Sequence, residues 1–204
     1  MQGYGVMTDE IFAQLPRDSS PTHVFIQGGV GGLAASICSY LWQKFAEKAP
    51  SIFVVEPDKA PCILVSAEAG RPTAVKGDLN TIMAGLACGE VSLLAWPILE
   101  RGVDGFLSVS DESAAETMKL LADAPFRDIP VVAGESAVAG LTGLLLAARD
   151  DDARRQARLD ENSIILLFGT EGATDPGVYE SLVDRNPDDV SRAARLASAA
   201  RRVS

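Results

Sequence analysis

Thr22-His23-Val24-Phe25-Ile26-Gln27-Gly28-Gly29-Val30-Gly31-Gly32-Leu33 is the stretch on which the fold turns. Residues 23–27 are a compact apolar run of the length expected for a strand buried on both faces. Four glycines fall within positions 28–32, and residues 33–48 then place Ile37, Tyr40, Leu41 and Phe45 at helical spacing. A second apolar run, residues 51–55, ends at Glu56-Pro57. Strand, glycine-rich turn, helix and strand make a βαβ unit, which implies parallel pairing and a right-handed crossover. Glycine tolerates positive φ and lets a ligand approach the backbone. The N–H groups of such a turn, and of the helical turn after it, point at an anion with the helix dipole in support. A phosphate is the natural occupant; the alternative is a tight turn with no ligand.

Outward from this unit the alternation continues. Residues 8–15 read as a short amphipathic helix capped by Thr8, with Ile11, Phe12 and Leu15 on one face, followed by a loop over 16–21. Residues 80–87 and 93–100 read as helices, 105–109 as a third strand, and Asp111 opens a helix through residue 121. Residues 131–132 are a short strand ending at Gly134, and 137–148 a buried helix rich in Gly, Ala and Leu. Residues 150–158 are charged and solvated, 163–168 an apolar strand stopping at Gly169-Thr170, and 188–202 a surface helix of Ala and Arg. There is no repeat, low-complexity block or linker. The expected fold is α/β, a three-layer αβα arrangement on a mostly parallel sheet, with residues 1–204 in a single domain.

The bulk properties narrow the function. The 204 residues carry 18 basic and 28 acidic side chains, a net charge of -10, and a surface that acidic repels nucleic acid. No apolar run approaches a membrane span, and the polar, acidic start has no signal-peptide core, so a cytoplasmic protein is expected. Cys38, Cys62 and Cys88 are odd in number without C-x-x-C spacing, and read as reduced thiols, neither disulfide frame nor zinc site. His23, the only histidine, reads as structural. Ser136 lacks the G-x-S-x-G surroundings of a nucleophile elbow. Asp150, Asp151 and Asp152 precede Arg154 and Arg155 and read as a solvated turn with local ion pairs; Trp42 and Trp96 read as core or interface anchors.

Spacing alone leaves the phosphate's owner open. Gly29-Val30-Gly31-Gly32-Leu33-Ala34 satisfies G-x-G-x-x-A, and Glu56 ends the next strand where a ribose-binding acid would stand, so a Rossmann-type NAD-binding module fits.

Resemblance separates the readings. Thr22 through the glycine turn, Val55-Glu56-Pro57-Asp58-Lys59-Ala60, Gly134-Glu135-Ser136-Ala137-Val138-Ala139-Gly140-Leu141 and Gly169-Thr170-Glu171-Gly172-Ala173-Thr174-Asp175 resemble fold-type II enzymes dependent on pyridoxal 5'-phosphate (PLP). Gly77-Asp78-Leu79-Asn80-Thr81-Ile82-Met83-Ala84-Gly85-Leu86-Ala87-Cys88-Gly89-Glu90, with Met1-Gln2-Gly3-Tyr4, is narrower and resembles diaminopropionate ammonia-lyase. The similarity runs from the first residue to about residue 180. It implies that Gly28, Gly29, Val30, Gly31 and Gly32 cradle the PLP phosphate through backbone N–H groups. Thr170 stands where the superfamily sets a hydroxyl against the pyridine nitrogen, and Glu135 lies near the ring. The neutral hydroxyl would leave that nitrogen largely unprotonated and the ring a weaker electron sink, which suits β-elimination. Cys62 falls where cation-holding relatives carry an acid, so no metal site is expected. The implied reaction is α,β-elimination on 2,3-diaminopropionate, giving pyruvate and ammonia.

The chain departs from that family in one respect. The family's Schiff-base lysine, with its proton-transferring acids, comes well before the glycine turn, which here begins at residue 28. The sequence has five lysines, Lys44, Lys48, Lys59, Lys76 and Lys119, none within that motif; Lys76, before Gly77-Asp78, is the one that could approach the site. The expectation is therefore a truncated or split C-terminal half, inactive alone and without catalytic residues of its own. It would associate with the missing N-terminal half or as a homodimer. A non-catalytic phosphate-ligand or interaction remnant is the remaining alternative.

Overall fold

The computed structural model describes residues 3–16, 19–126 and 128–201. Met1 and Gln2 of the opening motif, residues 17–18 of the expected 16–21 loop and Arg202 lie outside them. Strands β1 (His23–Gln27), β2 (Ser51–Pro57), β3 (Gly105–Val109) and β4 (Ile165–Leu167) form one parallel sheet in the order β3-β2-β1-β4. His23 is in register with Ser51 on one side and Ile165 on the other. β1 is buried along its length and β2 almost so, as expected of central strands covered by helices on both faces. Each wholly buried side chain of Val24, Phe25 and Ile26 contributes about 1.5–3 kcal/mol of apolar burial.

Helix α1 (Gly3–Gln14) leads into β1, and α2 (Gly32–Phe45) joins β1 to β2. α3 (Cys62–Ala69) and α4 (Trp96–Gly102) lie between β2 and β3, and α5 (Asp111–Asp123), α6 (Ala139–Arg149) and α7 (Asp151–Gln156) between β3 and β4. α8 (Pro176–Val183) and α9 (Pro187–Arg201) end the chain. Ile37, Cys38 and Leu41 of α2 pack with Val24, Ile26 and Val54 into the core on one face; Phe25, Val55, Met118 and Ala139 share the core on the other. α6 lies tight on the sheet because it presents glycines. A Cβ on Gly140 would fall 2.6 Å from the Phe25 carbonyl oxygen, and one on Gly143 2.6 Å from Val55 Cγ2.

Several expectations need correction. The first helix begins at Gly3, so Thr8 is interior and its hydroxyl returns to the Tyr4 carbonyl at 2.9 Å instead of capping. Residues 80–87 hold only a short 3-10 turn at Ala84–Leu86, because Thr81 and Ile82 bind Asp111 and Gly85 binds Ser136, contacts that compete with a helical ladder. Residues 131–132 join no strand; Val131 N–H bonds the Leu121 carbonyl at the end of α5. α3 and α8 were not anticipated, although Asp175 before Pro176 is a readable start signal: the aspartate accepts from Gly177 and Val178. The aspartate run makes the expected local ion pairs, Asp151 with Arg154 and Asp152 with Arg155, but on helix α7 capped by Asp150 instead of a turn. Trp96 is buried while Trp42 is 37% exposed against Gly102. Among the described residues no helix is long and apolar enough to cross a membrane.

Candidate functional site

β1 has β2 on one side and β4 on the other, so the chain's direction of winding reverses there. In open parallel sheets the crevice outside the carboxyl ends at such a point is where ligands bind. The glycine turn leaves β1 at that place, and Gly169-Thr170 leaves β4 beside it.

Gly29 has φ 60° and Gly31 φ 89°, left-handed conformations that favour glycine. The five positions divide by role. Gly28 N–H is spent on the Val55 carbonyl at 2.8 Å, and Gly31 N–H on the Gly28 carbonyl at 3.1 Å. Val30 N–H faces the Cys88 sulfur, and its carbonyl accepts from Ser92 at 2.9 Å. Among the described residues, no acceptor meets the N–H groups of Gly29, Gly32 or Leu33. A Cβ on Gly32 would meet none of the described residues within 4 Å, so this side of the turn opens onto free space. An oxyanion there would find unpaired amides at the positive end of α2.

The turn rests on a buried carboxylate. Glu56 is fully buried, and its oxygens accept from Ile63 N–H at 2.9 Å and Leu64 N–H at 2.8 Å, so it caps α3. Burial pushes its carboxyl up to about 7, outweighing the lowering effect of those bonds. Fully buried and turned onto the α3 amides, Glu56 is not presented to a ribose in the crevice, which weakens the dinucleotide reading. The Cys62 thiol donates to the Gly29 carbonyl at 3.3 Å; burial first, then Glu56, push it up to about 12. Burial likewise raises Cys88, so both thiols stay protonated at neutral pH.

Loops distant in sequence close a ring around the turn. Gly85 backs onto Gly29, its carbonyl oxygen 3.5 Å from where a Gly29 Cβ would stand, and its N–H donates to Ser136 Oγ at 3.0 Å. Ser136 N–H donates to Glu171 Oε2 at 2.8 Å, and Gly134 N–H to the Glu171 carbonyl at 3.1 Å. Thr170, next to Glu171, accepts from Gln27 Nε2 at 2.8 Å, which returns the ring to β1. Thr170 thus stands in the crevice beside the turn, exposed. Glu135 is half-buried between Gly134 and Ser136. The hydrogen-bonding roles of Gln27, Ser136 and Glu171, and the capping role of Glu56, depend on partners that the sequence does not place beside them; only the Gln27-Gly28 junction carries a local signal for one of them.

His23 is structural, with Nε2 at 2.9 Å from the Ala157 carbonyl and Nδ1 at 2.7 Å from Thr22 Oγ1. The lysines lie at the surface: Lys59 pairs with Asp111, Lys119 with Asp184, Lys44 sits over Phe12, and Lys48 and Lys76 are exposed.

Residues 1–170 match the family described as pyridoxal-phosphate dependent enzyme. The chain belongs to that family. Within it, the diaminopropionate ammonia-lyase of Salmonella typhimurium is 41% identical over 192 residues, covering 90% of this chain and 47% of that protein. The Escherichia coli diaminopropionate ammonia-lyase is 38% identical over 188 residues, again 90% and 47% of the two chains. The crystal structure of the E. coli enzyme, in complex with an aminoacrylate-PLP azomethine reaction intermediate, matches with a TM-score of 0.81 at 35% identity, over 89% of this chain and 47% of that one. The chain therefore spans about half the length of the relatives it matches. Pyridoxal phosphate is the family's cofactor, and the crevice fits its phosphate: two left-handed glycines, unpaired amides and open space over Gly32.

Proposed function

We propose that residues 1–204 form one partial PLP-binding domain of a lyase of the diaminopropionate ammonia-lyase type. The complete enzyme would convert 2,3-diaminopropionate to pyruvate and ammonia by α,β-elimination. The observation that carries this is the turn at the carboxyl end of β1, whose Gly29, Gly32 and Leu33 amides have no acceptor among the described residues. The two diaminopropionate ammonia-lyases at 41% and 38% identity support the substrate class.

In this reading the Gly29, Gly32 and Leu33 amides hold the phosphate, while Gly28, Val30 and Gly31 shape the turn. When bound, the cofactor supplies the electron sink for loss of the α-proton and the β-amino group. Thr170 meets the pyridine nitrogen with a neutral hydroxyl, and Glu135 lies near the ring. The family reaction also needs a lysine amine at the cofactor. Three of the five lysines are held at the surface by Asp111, Asp184 and Phe12, and the other two are exposed. The amine is therefore assigned to the complementary half of the fold, with this chain inactive by itself. The protein would act in the cytoplasm, associated with that half or as a homodimer.

Pyruvate release from 2,3-diaminopropionate tests the reading, measured with this chain alone and after co-expression with the N-terminal half of the Salmonella typhimurium relative. Turnover only in the mixture is expected. Turnover by the chain alone would overturn the assignment of the amine, and no turnover in a folded mixture would overturn the proposed activity.

A further inference from the structure

Gln27 ends β1 at 4% exposure, and its carboxamide is arranged unevenly. Nε2 donates to the Phe168 carbonyl at 2.9 Å and to Thr170 Oγ1 at 2.8 Å. Oε1 is buried with no hydrogen-bond partner among the described residues. The orientation is chemically determined. The Phe168 carbonyl can only accept, so the atom facing it must carry hydrogen. Turning the amide over would set two carbonyl oxygens against each other. The orphaned Oε1 is the cost of keeping the NH2 on this side.

The consequence falls on Thr170. Its oxygen already accepts from Gln27, so its own proton is directed away from residue 27, into the crevice where the hydroxyl is exposed. We propose that Gln27 is a positioning residue that fixes Thr170 as a hydrogen-bond donor toward the cofactor's pyridine nitrogen, thereby keeping that nitrogen unprotonated. This rests on the reading of Thr170 given above and adds the cause of its polarity. An amide is required for the role. Its NH2 has two hydrogens, one for each acceptor. A glutamic acid at residue 27 has at most one, which the Phe168 carbonyl takes. Thr170 must then donate back to residue 27, and turns a lone pair to the crevice. Such a lone pair favours a protonated pyridine nitrogen.

The test is magnetic resonance of the chain titrated at pH 7 with pyridoxal phosphate labelled with 15N in the ring, reading phosphorus and ring nitrogen together. For the wild type, the phosphorus signal moves on binding and the ring nitrogen resonates downfield, in the unprotonated range. In Gln27→Glu the phosphorus response persists and the nitrogen moves upfield, toward the protonated range. Circular dichroism and the unfolding midpoint check that the variant is folded. Should it not fold, Gln27→Met, which leaves the Thr170 hydroxyl free to turn, is expected to move the nitrogen part of the way. Thr170→Val, with no donor, moves it in the same direction. A phosphorus response with a ring nitrogen indifferent to residue 27 would overturn this proposal while leaving the phosphate reading intact. Absence of any phosphorus response would overturn both.

Discussion

Gly31 lies directly against Leu99: a Cβ built on the glycine would fall 2.7 Å from Leu99 Cδ1 and 3.3 Å from Ala95 Cβ. The same residue is left-handed at φ 89°. The glycine turn is thus clamped from beneath by α4, and its shape depends on a missing side chain. Gly31→Ala adds backbone strain of about 1–2 kcal/mol and an overpacking cost of about 1–3 kcal/mol. The expected result is a clear fall in the urea midpoint with an unchanged denaturant slope.

Gly32→Ala should behave oppositely. Its Cβ enters open space and α2 starts at that residue. Stability is expected to stay within about 0.5 kcal/mol of the wild type, while affinity for pyridoxal phosphate falls. Urea unfolding and a binding titration on one preparation separate the two effects.

Glu56 makes a signed prediction about pH. Its carboxyl is raised from 4.5 to about 7 by burial. Between those values the native state holds more protons than the unfolded one, so this group's contribution is fully present below pH 4.5 and lost as pH rises toward 7. Glu56→Gln removes that slope. It also leaves an amide NH2 facing the α3 amides, at a cost of about 1–3 kcal/mol. Unfolding midpoints of both proteins across this range check the two claims.

Asp111 behaves in the other direction. Burial would raise it, but Lys59 and the Thr81 hydroxyl hold it below the usual carboxylate range. Its contribution is present above that range and lost as pH falls through the lowered value. Asp111→Asn is expected to loosen the loop through Thr81 and Ile82, read as faster amide exchange at Ile82 and Met83, with Lys59→Met having the smaller effect because Lys59 is solvent-exposed.

How much of this was legible in sequence depends on how local each cause is. β1, the glycine turn and β2 are set by residues adjacent in the chain, so the apolar runs and the Gly28–Gly32 cluster announce them. α3 has no helical periodicity in Cys62-Ile63-Leu64-Val65-Ser66-Ala67-Glu68-Ala69, and the carboxylate that caps it, Glu56, stands six residues before its first residue. The segment at residues 80–87 looks helical until Asp111 and Ser136, remote in sequence, claim its polar groups. At the site, resemblance is what proposes Thr170 and the glycines as cofactor contacts. The contacts of the Gln27 carboxamide exist only once Phe168 and Thr170, about 140 residues on, are folded beside it.

The most direct test of the phosphate cradle compares calorimetric titrations of the wild type and Gly32→Asp with pyridoxal phosphate and with pyridoxal. The account predicts that the wild type binds pyridoxal phosphate far better than pyridoxal. It also predicts that Gly32→Asp, whose carboxylate enters the space over the turn, loses this preference while unfolding at the same urea concentration. Equal affinity of the wild type for both compounds, or a folded Gly32→Asp that still prefers the phosphorylated one, would contradict it.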